Sequence, residues 1–127
     1  MHKFFLSAGT ALAGLGVILG AFGAHKLKQI APDSVSTFQT GVQYQMYHAF
    51  AIILAAIIFE KISSKYLVWS GYSFLIGIFL FSGSLYALSL LKATGKVGLG
   101  GIGIITPIGG LAFIAGWLFF LLAVLKK

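Results

Sequence analysis

Four long apolar runs, separated by short clusters of lysine, serine, proline or glycine, set the pattern of this chain. The first runs from Phe4 to Ala24. About 20 apolar residues in a helix cross the hydrocarbon core of a bilayer. The run is longer than the apolar stretch of about 7–15 residues in a cleaved signal, so it reads as a retained helix. Gly9, Ala13, Gly16, Gly20 and Ala24 follow one another by steps of four, three, four and four, which puts them on one helical face. In lipid, helices associate through close backbone approach and dispersion. This face is therefore predicted to meet another helix, of this chain or of a second copy. His25 to Pro32 is expected to end the span.

Pro32, Asp33 and Ser34 read as a helix start, since proline is tolerated in the first turn and Asp or Ser can cap free amides. The second helix is predicted from Ser34 to Phe59. Its first half is amphipathic. Val35, Phe38, Val42, Met46 and Ala49 form an apolar stripe; Ser36, Thr40, Gln43 and Tyr47 form a polar one, extended by Thr37, Gly41, Tyr44 and His48. The second half, Ala49 to Phe59, is apolar all round and too short to span. Part of the polar half must then lie at membrane depth, facing protein or water. A polar turn, Glu60 to Lys65, precedes a third helix from Tyr66 to Leu91, with Trp69 and Tyr72 placed for the interfacial belt. Ser70, Ser73 and Gly77 make a small face on it, followed by Gly83. The glycine-rich stretch from Lys92 to Gly103 reads as a connection. Thr106 and Pro107 read as N-cap and first residue of a fourth helix reaching Leu125, with Gly109, Gly110, Ala112 and Gly116 as close-contact positions and Trp117 in the packing.

The predicted fold is all-α: an integral membrane four-helix bundle with an amphipathic lead-in to helix two. It forms one domain over residues 1–127, with spans at 4–24, 42–59, 68–91 and 106–125. Composition sharpens this. Charged residues make up 9% of the chain, against about 25% in soluble domains. The nine basic residues are all lysines, so the net charge of +7 points to lipid head groups and away from nucleic acid. The absence of cysteine excludes disulfides and thiolate chemistry. Both termini fall on one side. Lys3, Lys61, Lys65, Lys126 and Lys127 stand there, against Lys26, Lys28, Lys92 and Lys96 on the other, and this excess tilts the termini toward the cytoplasm.

Gly20-Ala-Phe-Gly-Ala-His25, Thr40 to His48, Phe81-Ser-Gly-Ser-Leu-Tyr86, Ile105 to Gly110 and Gly116-Trp117 resemble blocks, in the same order, of a family of small four-helix membrane proteins. That family includes the bacterial YwdK and YgdD and has no established function. The resemblance implies four membrane helices and supplies no catalytic residue or cofactor to carry over.

The candidate polar site comprises His25, Gln39, Gln43, Tyr44, Gln45, Tyr47, His48, Ser82, Ser84 and Tyr86. His25 and His48 could relay protons or hold a metal with Gln43 or Gln45. Two histidines without cysteine or an intramembrane carboxylate fall short of the four ligands, or three plus water, of a zinc site. Interfacial placement of His25 and a cross-helix hydrogen bond from His48 is the preferred reading. The glutamines could line a polar cavity or tie helix two to Ser82, Ser84 or Tyr86; structural ties are preferred. Tyr44 and Tyr47 could cradle a lipid head group or mark the interface. Gly98 to Gly103 lacks the Lys-Ser/Thr of a phosphate loop and no strand precedes it, which argues against nucleotide binding. Ser82 and Ser84 lack an orienting carboxylate for nucleophilic catalysis. No metal and no cofactor are expected. The reading that results is a non-catalytic, self-associating structural or accessory module of the cell membrane, with membrane lipids as partners, a homo-oligomer as its expected assembly and no protein partner specified. The alternatives are a small channel or carrier, or a lipid-binding protein, using the polar stripe of helix two.

Overall fold

The computed structural model describes residues 2–95 and 100–126. The described residues are helical, without strands. Four helices are long and apolar enough to cross a membrane. They are α1 (Lys3–Ile30), α2 (Pro32–Ile58) and α3 (Lys65–Ala93), and α4 (Gly100–Leu125). His2 caps α1: its Nδ1 accepts from Phe5 N–H at 3.2 Å while its ring stacks on Phe5. Ser64 caps α3 by accepting from Tyr66 N–H. Gly95, with φ of 78°, follows the end of α3 in the left-handed region that glycine adopts without penalty.

The helices run up and down in turn, and α2 is the most enclosed of them. One side of α2 receives α1. An added Cβ on Gly9 would meet Ile53 and the Ala49 carbonyl. One on Gly16 would meet Met46, and one on Gly23 would meet Phe38 and Gln39. The glycine face of the first helix is thus filled by α2 of the same chain. Another side of α2 receives α3, which also packs along α4. Phe5, Ile52, Phe74, Ile78 and Phe113 form the central core, contributed by all four helices.

The first helix ends within the His25–Pro32 stretch expected to end it: nothing between His25 and Ile30 breaks a helix, and the chain turns at Ala31 (φ −153°, ψ 71°), the residue before Pro32. Three expectations need correction. Thr106 and Pro107 do not start α4, which begins at Gly100 with Pro107 in its interior. Proline removes one rung of helical hydrogen bonding, and in a membrane neighbouring helices support the gap. The Lys92–Gly103 stretch is correspondingly not all connection: α3 reaches Ala93 and α4 includes Gly100 to Gly103, while Lys96 and Gly98 lie outside the described residues, as does Lys127. Gly83, expected at a close contact, has only the Ile78 carbonyl 4.0 Å from an added Cβ, an ordinary distance.

Two π-helical turns interrupt the spans, Gly23–Leu27 in α1 and Ile78–Ser82 in α3. The second sits where three helices converge. Gly109 of α4 lies against the backbone of Leu80 and Phe81, and Gly41 of α2 lies against the Ser82 carbonyl and the Tyr86 ring. A side chain at either glycine would force the helices apart.

Candidate functional site

The polar residues of α2 divide between an inner set and an outer set. Gln45 leads the inner one and is 2% exposed. Its Nε2 donates to the Leu12 carbonyl of α1 at 2.8 Å, and its Oε1 accepts from the Tyr86 hydroxyl of α3 at 2.6 Å. One amide therefore joins three helices. Gln39 donates to the Gly20 carbonyl, just before the first π turn, at 3.1 Å. Ser82 donates to the Gly41 carbonyl at 2.6 Å, so the second π turn is tied to α2. Ser84 meets Thr106 of α4 at 2.5 Å and donates to the Phe81 carbonyl. Ser70 donates to the Gly116 carbonyl at 2.8 Å.

His48, buried at mid-helix, is held from three directions. Trp117 Nε1 donates to its Nε2 at 3.0 Å. Indole nitrogen is only a donor, so Nε2 must be the bare nitrogen. The proton then sits on Nδ1, which donates to the Tyr44 carbonyl at 2.8 Å. The Phe113 ring stacks on the imidazole with 3.7 Å between centroids. Both ring nitrogens of the neutral form are used. Trp117 is the partner that sequence reasoning did not assign to the site. Its hydropathic surroundings gave no signal, and the pairing spans 69 residues.

The outer set lies on the exposed side of α2. Gln43, Tyr44 and Tyr47 are exposed, and none of their side chains has a hydrogen-bond partner among the described residues. His25 is also exposed, at the far end of α1, with Nδ1 on the Ala21 carbonyl, and does not approach His48. No group of three or more metal-ligating His, Cys, Asp or Glu occurs among the described residues.

Beside the outer set a groove of about 410 Å³ opens laterally between α2 and α4. Tyr44, His48, Phe81, Pro107, Phe113 and Trp117 are among its walls. Tyr44 packs on Phe81 with 4.7 Å between centroids, and Phe81 on Phe113 with 5.5 Å. α4 contacts α3 along its length, while Phe113 and Trp117 reach across from it to His48 of α2.

A family model described as a protein of unknown function (DUF423) matches residues 19–110, which hold the inner polar set and most of the groove. The chain belongs to the DUF423 family. It is 41% identical to the UPF0382 membrane protein YwdK of Bacillus subtilis (strain 168) over 126 residues, covering 98% of each chain. It is 38% identical to the membrane protein SH2409 of Staphylococcus haemolyticus, covering 98% of this chain and 97% of the relative. With the inner membrane protein YgdD of Escherichia coli (strain K12) it shares 36% identity over 128 residues, 99% of this chain and 93% of that one. These relatives are named as membrane proteins, in line with the four spans. No solved structure matches.

Proposed function

We propose that this DUF423 protein is a non-catalytic accessory module of the cell membrane, which acts by what it holds or touches. One observation carries this reading: among the described residues, every buried side-chain nitrogen and oxygen has a hydrogen-bond partner within the chain. A general base or a solute-coordinating group needs a free lone pair or donor aimed at its substrate. Gln45, His48, Ser82, Ser84 and Tyr86 are instead spent on joining helices. Contacts with other membrane components, a further copy included, run over the outward faces of α1 and α4, where Val17, Ile18, Leu111 and Leu118 are exposed. The glycine face of α1 is already occupied. The lysine excess on the terminal side supports cytoplasmic termini.

The test uses proteoliposomes of native lipid, followed by mass spectrometry of the lipids and by release of neutral and cationic tracers. Unchanged lipid composition and retained tracers are expected. A lipid product formed by the wild type but not by His48→Ala, or a tracer leak abolished in Gln43→Leu, would overturn the reading.

A further inference from the structure

We propose that the groove between α2 and α4 is a binding site for one acyl chain of a diacyl phospholipid, drawn from the leaflet opposite the termini. The proposal rests on the accessory reading above and names what the module holds.

Depth comes first. Counting about 30 Å of hydrocarbon back from the apolar end of α2 at about 1.5 Å per residue puts the boundary near Phe38. On α4 the same count from Leu125 puts it near Thr106. Pro107, at one end of the groove, is then at the boundary. Trp117 and His48, at the other end, are at the bilayer centre. The groove therefore has the length of one leaflet.

Width decides what fits. The free space of the groove, about 750 Å³ with its open side included, lies along the helix from Pro107 to Trp117, about 15 Å at the usual rise, which gives a trough about 50 Å² in section and about 8 Å across. A helix with its side chains is about 10–12 Å across and cannot enter. A polymethylene chain, whose carbons touch neighbours at about 3.5–4.0 Å, can. Since the groove opens toward lipid, acyl chains are also its surrounding solvent.

Polar chemistry fixes the orientation. Tyr44 belongs to the groove wall, and its hydroxyl has no hydrogen-bond partner among the described residues. Helical side chains lean toward the helix N-terminus. For Tyr44 and Gln43 this is the boundary side, so their donors rise toward the level of the glycerol esters. An ester carbonyl accepting from Tyr44 would set the chain below it against Phe81, Phe113 and Trp117.

The experiment is native mass spectrometry of protein released from nanodiscs of palmitoyl-oleoyl phosphatidylglycerol, with retention read as collision energy is raised. Gly110→Leu fills the groove from its wall. The first added carbon would stand 3.8 Å from the Phe81 ring, an ordinary contact that leaves the fold intact. Gly14→Leu adds the same bulk where nothing lies within 4 Å and serves as the control. One lipid per chain is expected on the wild type and on Gly14→Leu. Retention should fall at least about tenfold in Gly110→Leu. In Tyr44→Phe, which keeps the shape of the wall, it should fall about three- to fifteenfold, the worth of one hydrogen bond in a membrane. Equal retention in the wild type and both groove variants would overturn the proposal. So would a lipid-free dimer dissociated by Gly110→Leu, or a bound mass other than a phospholipid. Loss of the proposal in this way leaves the accessory reading standing, because that reading fails only on lipid conversion or tracer flux.

Discussion

Gln45 stands at the crossing of α1, α2 and α3, where its amide donates to Leu12 and accepts from Tyr86. In Gln45→Leu the half-buried Tyr86 hydroxyl would lose the one hydrogen bond it makes among the described residues. Breaking one side of a buried pair costs about 1–3 kcal/mol. Unfolding in detergent should register that loss, and Tyr86→Phe added to Gln45→Leu should recover part of it, because the orphaned hydroxyl is gone. Glycines give a sharper contrast. Gly109→Ala would drive a Cβ into the backbone of Phe81, and overpacking of this kind costs about 1–3 kcal/mol. Gly14→Ala faces open space and should be neutral or stabilising by up to about 1 kcal/mol through helix propensity. Equal thermal midpoints for the two variants would contradict the packing described here. Gln45 and His48 were readable from sequence as polar groups needing partners, because burial at membrane depth demands them. Tyr86 was among the partners considered for the glutamines, and Gln45 accepts from it; Leu12 and Trp117, 33 and 69 residues from their partners, were not readable. Gln43, Tyr44 and Tyr47 lie on the arc of α2 that the other helices leave exposed.

At the scale of the element, hydropathy located four helices because each must bury its backbone polar groups internally within the bilayer. Their interruptions were hidden. A π turn is one inserted residue, and a run of apolar residues carries no mark of it. Glycine at positions 77 and 83 flanks the turn in α3 without announcing it. The turn has a definite role, since it rotates everything after it and so brings Ser82 to Gly41 and Tyr86 to Gln45. Deleting Leu80 should take out the inserted residue and return the turn to regular α geometry, which leaves Tyr86 near its present angle but removes backbone that packs against Gly109. The deletion variant should still insert, yet melt well below Leu80→Ala. Matching midpoints would mean that the wide turn is dispensable. Pro107 misled in the opposite direction. Its position after Thr106 is what a helix start demands, but Thr106 spends its hydroxyl on Ser84 of α3 and the helix runs on through the proline.

At the scale of the molecule, the lysine balance bears on topology. A C-terminal fusion to a green fluorescent protein should fluoresce and one to alkaline phosphatase should stay inactive, as cytoplasmic termini require. Active phosphatase would reverse the orientation. It would also move the leaflet that supplies the proposed acyl chain to the cytoplasmic side. The central place of α2 has a further consequence, which concerns time. α1 and α2 can zip along their glycine face as soon as both are made. His48 must then wait for Trp117, 69 residues later, which at about 5–20 residues per second is about 3–14 s of synthesis. Throughout that interval the nascent hairpin presents a bare imidazole nitrogen to the interior of a membrane. The bond to Trp117 is therefore the last of the inner polar contacts that synthesis can complete, and the ribosome's own pace sets the delay.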